Sequence, residues 1–480
     1  MGWNKTKAPK EPGDRPSRAA RRAALYRGGY LAAVTALAVA LVIVINLIAG
    51  QLPSHIREFD LTDNSLYEVS ETSQTFLSEL DKDVEIVILA EEGATDQRIL
   101  KFLDHYAALS SHITVTEVDP VAHPAEAAAY EAESDSLVVL CEETGKQEVI
   151  SFNDIIVYGY DSSYYYYGEQ SFDAEGQLTS ALDYVTNDAG KKVYTVTGHG
   201  ESDLSATITD AIDKANFSLD AVSPALNGGV PEDCDLLIAN GPTTDLSESE
   251  RELLEAYLDG GGQMILLLPE DYVDLPNWDA LMNRFNLDMV EGYIADTSRY
   301  YPQLGSPFAI CATLDLSSPI TSALSSDTLT LLTNSQGFVE LTEGADESVT
   351  VTPFMTTTSD GYAVTLEGSQ TQGTYLLGAV AERTGEDGET TGRLTVFGST
   401  SFVAEDILAA NPSIANQTIF MNAVTGGFDD VTNLSIPAKS LSVAYNTIAN
   451  PNLWSSLYII VLPIGILAAG LIFWTRRRKR

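Results

Sequence analysis

Between residues 84 and 428, short apolar blocks alternate with longer stretches whose apolar positions recur every three or four residues. That is the pattern of strands and helices in alternation. Ser70 is an N-cap for a helix reaching Leu80, with Phe76, Leu77 and Leu80 on one face. VEIVILA (84–90) predicts a buried strand, RILKFLDHYAALS (98–110) an amphipathic helix, ITVTEVDP (113–120) a strand and PAEAAAYEAE (124–133) a short helix. DSLVVLC and KQEVISF follow as two strands joined by a turn at Thr144–Gly145. The order β-α-β-α-β-β predicts a thioredoxin-like layer. Where such a fold carries redox cysteines, after VEIVILA, the chain reads EEGATD, which argues against redox chemistry.

A tyrosine-rich connector comes next, with four consecutive tyrosines at 164–167. It reads either as an edge strand or loop packed on a neighbouring domain, or as a platform for stacking carbohydrate. LTSALDYVTND (178–188) predicts the helix that opens a second domain, followed by the strand and turn KKVYTVTGHGES (191–202). DLSATITDAIDKANF (203–217) reads as helix, with Leu204, Ile208, Ile212 and Phe217 at helical spacing. DCDLLIANGP is a strand ending in Asn240-Gly241-Pro242. LSESERELLEAYLDGGG is a helix capped by Ser247 with Glu250 three residues on, and glycines stop it. GQMILLLPED and GRLTVFGSTSFVAEDIL supply further apolar strands, and NQTIFMNAVTGGF a closing helix. Near-continuous apolar strands alternating with helices predict a parallel, doubly wound sheet. From about 290 to 390, Thr/Ser-rich alternation predicts antiparallel additions.

Two uncharged stretches flank this region, 29–50 and 456–474, each long enough to cross a bilayer as a helix. Basic residues lie outside both, Arg18–Arg27 before the first and Arg476–Arg480 after the second. The positive-inside rule then predicts a two-pass cell-membrane protein with both termini cytoplasmic and a large extracytoplasmic region. The predicted order is a basic tail (1–28), a span (29–50), a thioredoxin-like domain (51–157), the Tyr-rich connector (158–174) and an α/β domain (175–430). A linker (431–455), a second span (456–474) and a basic tail (475–480) complete it.

Charge narrows the function. The formal net charge is −41, and the basic residues crowd the two tails. Nucleic acid is excluded as a partner, because its recognition needs cationic contacts to phosphate. Cys141, Cys234 and Cys311 are odd in number and widely spaced, and imply no disulfide framework. No GxxxxGK[ST] phosphate loop and no HExxH pattern occurs, so neither nucleotide hydrolysis nor a zinc site is expected. No cofactor is expected.

The candidate site is the turn after the Val193–Val196 strand: Gly198, His199, Gly200 and Glu201, with Asn240 at the end of a neighbouring strand. A nucleophile elbow needs Ser or Cys where His199 stands. Two glycines suit a sharp bend, so the turn reads as a ligand-contact or structural element, with no catalytic residue assigned. An exposed His199 is expected to be dispensable for stability. A cell-surface hydrolase using this turn and a glycan-binding module using the tyrosines are the rival readings.

EGQLTSALDYVTNDAGKKVYTVTGHGE, with LLIANGPTTDLSESERELLEAYLDGGGQMILLL, resembles the GldG-like auxiliary components of ABC transporters. So do FDLTDNSLYEVSETSQTFLSEL and the ending IPAKSL, apolar segment, Arg-rich tail. The resemblance implies a second domain similar to glutamine-amidotransferase-like and flavodoxin-like sheets, without the amidotransferase's cysteine. It also implies a membrane-anchored, non-catalytic accessory or scaffold subunit, partnered by an ABC permease, an ATPase and membrane lipid.

Overall fold

The computed structural model describes residues 65–441 apart from 162–165, 188–189, 386–389, 412, 429–430, 432 and 435, together with 37, 462–465 and 474. The two expected spans therefore fall outside the described residues, except for Leu37, 462–465 and Trp474, which are helical. Among the described residues no helix is long and apolar enough to cross a membrane.

The chain is a mixed α/β protein. Helix α1 (Glu71–Glu79) starts at Ser70, whose hydroxyl accepts from the Ser73 N–H. It is followed by β1 (Val84–Leu89), α2 (Gln97–Ala107), β2 (Ile113–Val118), β3 (Ser136–Cys141) and β4 (Lys146–Ser151). The four strands form one sheet in the order β2-β1-β3-β4, with β1 and β2 parallel and the other pairs antiparallel. Alternation along β1 serves both faces: Ile86 and Ile88 enter one core, Val87 and Leu89 the other.

The Tyr-rich stretch is a hairpin of β5 (Ile156–Asp161) and β6 (Tyr166–Phe172). Helix α3 (Ala174–Thr186) then packs on β3 and β4. Its Leu178, Ala181, Leu182 and Val185 join Ile86, Phe102 and Leu137 in a single core. The helix placed at the head of the second domain by sequence is thus the outer layer of the first. Its apolar stripe fits a sheet surface, and the sheet it meets is the one already built.

The second sheet starts with β7 (Lys191–Val196), α4 (Ala206–Lys214), β8 (Phe217–Val222) and β9 (Leu236–Asn240). It continues with α5 (Glu248–Asp259), β10 (Gln263–Leu267), α6 (Pro276–Asn283), β11 (Leu287–Val290), β12 (Gly337–Glu340) and β13 (Val349–Thr356). Last come β14 (Leu376–Thr384), β15 (Thr390–Phe397) and α7 (Asn416–Thr425). The path runs β11-β12-β14-β15-β10-β9-β7-β8, with β13 also on β14. From β15 to β8 all neighbours are parallel, whereas β14 and the strands beyond it are antiparallel. Val193, Ile238 and Ile265 face one core with α4 and α7, and Tyr194, Leu237 and Leu266 face another with α5 and α6. Burial on both faces explains why these strands read as unbroken apolar runs.

One strand was not foreseen. Residues 217–222 pair with β7, and α4 ends at Lys214, so Phe217 opens β8 and does not extend the helix face. Its F-S-L-D-A-V alternation is that of an edge strand with polar residues turned to solvent.

The two ends of the described region meet. Lys439 and Ser440 pair with Phe172 and Ser171 of β6. The Lys439 ammonium donates to the carbonyls of Ser65 and Glu68 and pairs with Glu175 at 3.2 Å.

Candidate functional site

Strand order fixes where a site would lie. The chain runs from β7 outward to β8, then returns to place β9 on β7's other side. Beyond the carboxyl ends of β7 and β9 the connections diverge, which is where doubly wound sheets hold ligands. The His199 turn follows β7, and Asn240 ends β9, so both occupy this switch point.

The turn is built by its glycines. Gly198 and Gly200 have φ of +123° and +78°, a region L side chains rarely adopt. At Gly200 space is also lacking, since a Cβ would sit 2.2 Å from Thr243 Oγ1. The bend carries His199 inward. It is 4% exposed, so the expectation of an exposed imidazole is wrong: the turn folds back under α5.

Both ring nitrogens are engaged. Nδ1 is 3.1 Å from Glu201 Oε1 and Nε2 is 3.1 Å from Glu250 Oε1. The His199 backbone N–H donates to Glu201 Oε2 at 2.7 Å. Trp278 packs edge-on, its ring centroid 6.2 Å away. Each ring nitrogen therefore lies within hydrogen-bonding distance of a carboxylate oxygen. Glu250 also closes the α5 capping box, with Oε2 accepting from the Ser247 N–H and hydroxyl. Those Ser247 bonds first, and His199 second, hold its carboxyl below the usual range.

The loops across the crevice are bonded to one another. Thr243 and Thr244 donate backbone N–H groups to the His199 carbonyl at 2.8 and 2.9 Å. The Ser202 N–H donates to the Asn240 carbonyl at 2.9 Å, and Asn240 Nδ2 donates to the carbonyls of Ser202 and Asp203. Gly198, His199, Gly200, Glu201 and Asn240 are therefore brought together, as parts of a stitched junction. Sequence reading missed Glu250's second role, Thr243 and Trp278. The available signal was the capping box, which placed Glu250 at the start of a helix following β9.

Cys234 lies just before β9, at the amino edge of the sheet, with Sγ 3.6 Å from the Tyr257 hydroxyl. Burial pushes its thiol up to about 11, which disfavours the reactive thiolate. Among the described residues no group of three or more His, Cys, Asp or Glu is placed to hold a metal ion. Of the tyrosine run, Tyr164 and Tyr165 lie outside the described residues; Tyr167 is exposed, and the neighbouring Tyr158 hydroxyl donates to Glu169.

A second polar cluster joins the two sheets. Lys214, at the end of α4, lies 2.5 Å from both Asp173 and Asp210, and Asp173 precedes α3. Lys214 and Asp173 are 6% and 3% exposed. Burial pushes the Asp173 carboxyl up to about 6, against the attraction of Lys214.

The second sheet is thus a doubly wound α/β sheet whose switch point is crossed by loop-to-loop hydrogen bonds. Residues 190–423 match the family described as "ABC-type uncharacterized transport system", consistent with the GldG-like resemblance. Residues 63–158 match a domain of unknown function, DUF7088. No curated protein matches the chain. Similar solved structures include the mmIFT52 N-terminal domain (14% identity, 50% of this chain and 99% of that one, TM-score 0.38). Others are a ThuA-like protein from Bacteroides uniformis (10% identity, 51% and 96%, TM-score 0.32) and a GMP synthase protein from Thermoplasma acidophilum (10%, 50% and 94%, TM-score 0.28).

Proposed function

We propose that this chain is a non-catalytic, membrane-anchored accessory subunit of an ABC-type transport system, working beside a separate permease and ATPase. Its first sheet is thioredoxin-like without the redox cysteines, and its second is flavodoxin- and amidotransferase-like without the catalytic cysteine. The family match over residues 190–423 carries the transport association. The His199 junction is in keeping with a non-catalytic role, because both ring nitrogens are already engaged by Glu201 and Glu250 and no Ser or Cys nucleophile stands at the turn.

Membrane anchoring rests on the two uncharged sequence stretches and gains support from the clasp at Lys439. Residues 65 and 439 are held together, and each lies roughly fifteen to seventeen positions from its expected span, a tether of at most about 60 Å. Two helices leaving one point suit a pair that packs together against a permease, through Ala32, Ala33, Ala36 and Ala40 of one and Gly465, Ala469 and Gly470 of the other.

Affinity purification of the full chain in mild detergent tests the reading. A multi-span permease and a Walker-motif ATPase are expected in near-stoichiometric amounts, and lost when both apolar stretches are replaced by unrelated apolar helices. Protease shaving of intact cells is expected to remove the region between the stretches and spare tags at both termini. Recovery of the chain alone, with in-cell crosslinking also finding no transporter subunit, refutes the partnership. Cleavage of a terminal tag from outside refutes the topology.

A further inference from the structure

Strand β8 ends the second sheet and pairs with β7 alone, so one row of its backbone groups has no strand beside it among the described residues. Such an edge is a template for a further strand. Between β8 and α4 lies an open groove of about 690 Å³, with Phe217 and Leu219 from the strand and Ala206, Thr209, Asp210 and Asp213 from the helix. The four helix residues are spaced i, i+3, i+4 and i+7 and are all exposed, so they form one stripe along the groove. An edge strand lying beside a helix, with a groove between them, is the arrangement that captures extended peptides by strand addition.

Charge selects the occupant. A hollow of about 470 Å³ adjoins the groove, sharing Asp210, Asp213, Phe217 and Ser218, and brings Glu148 and Asp183 from the first domain. Two lysines line it, but Lys214 is bound to Asp173 and Asp210, and Lys146 donates to the carbonyls of Tyr184 and Asn187. Burial, and then the negative charge of Asp213, raise the Glu148 carboxyl above its ordinary range. A second copy of this chain is disfavoured, because its β8, F-S-L-D-A-V, carries no Lys or Arg and would add Asp220 to an already acidic groove.

We propose that the groove between β8 and α4 docks an extended, cationic segment of a partner polypeptide, which adds a strand to β8 and sets Lys or Arg side chains against Asp213, next to the Lys214-paired Asp210. Six residues of β8 offer about 20 Å of edge, enough for a segment of five or six residues with alternate side chains facing α4. The groove belongs to this chain alone, so its test does not depend on transporter association.

The probe is a fluorescein-labelled (Lys-Val)4 peptide, titrated by anisotropy against the full chain in detergent micelles, with (Glu-Val)4 as its counterpart. The expected result is saturable binding of (Lys-Val)4 that weakens with added salt, and none of (Glu-Val)4. Asp213→Lys should weaken binding at least tenfold, while Glu343→Lys, an exposed reversal elsewhere, should leave it unchanged. Peptides N-methylated only on lysine or only on valine distinguish strand addition from charge attraction, because one series alone loses the N–H groups facing β8. The proposal is overturned if both N-methylated series bind alike, or if both reversals weaken binding alike. It is also overturned if the chain self-associates through this edge, seen as a concentration-dependent dimer lost in Asp213→Lys.

Discussion

Replacing His199 with alanine tests whether the switch point is a stitched junction. The side chains of His199 and Glu201 are 6% and 4% exposed and that of Glu250 is 16% exposed, so water does not replace the lost imidazole freely. The variant loses two charge-assisted contacts and leaves Glu201 Oε1 buried without its partner. Removing one partner of a buried pair costs about 3–5 kcal/mol, much of it from the stranded charge. The hole beside Trp278 adds to that cost. For a domain of this size, about 3–5 kcal/mol corresponds to a melting-point drop of roughly 6–20 °C. The assay is thermal unfolding of the detergent-solubilised full chain by near-UV circular dichroism, with hydrogen exchange read at 197–205 and 243–250. Adding Glu201→Gln removes the stranded charge, so the double variant should recover part of the loss. Melting within a degree of the parent, or no recovery from Glu201→Gln, refutes this account.

Gly200→Ala is expected to destabilise more than Gly198→Ala, because only at Gly200 does the new Cβ collide with Thr243 in addition to the positive φ; chemical denaturation of the pair checks the order. Lys214→Met strands Asp173 between the sheets and should cost about 3–5 kcal/mol, with Asp173→Asn in the same chain restoring much of it. Asp173 is pushed up to about 6, above its unfolded value, so the folded state binds the extra proton and stability falls as pH rises from about 4 to about 6. Asp173→Asn should remove that slope from melting curves taken across the window. Lys439→Ala should speed hydrogen exchange at 65–68 and 170–172 and leave β7–β10 unchanged, since Lys439 binds only the first of these regions.

The central strands were legible because burial on two faces leaves little room for ambiguity. LLIAN and QMILL have no polar face to confuse the period, and both are β-strands where expected. Capping was legible too, since Ser70 and Ser247 act through neighbours within three residues. The misses have a common cause in edges and partners. β8 alternates polar and apolar residues over only six positions, and Phe217 also fits the spacing of α4, so local pattern could not divide them. Helix α3 carries an apolar stripe that would suit either sheet, and no residue in it names the sheet it covers.

The candidate site was half legible for the same reason. The glycines mark a turn by local chemistry, but His199 and Glu250 are fifty-one residues apart, and their contact depends on β9 returning to β7. Along the sequence only Glu201 stands near His199, and a hydrolase using this turn is a rival reading. In the fold each ring nitrogen is occupied, the carbonyl of the same residue takes two N–H groups from the opposite loop, and one of the carboxylates is committed to a helix cap. These bonds tie the two loops together, while Asn240 Oδ1 and the Trp278 indole N–H are buried beside them with no hydrogen-bond partner among the described residues. The switch point is thus cross-linked by its own loops, and among the described residues the sheet's two edges are β8 and β11.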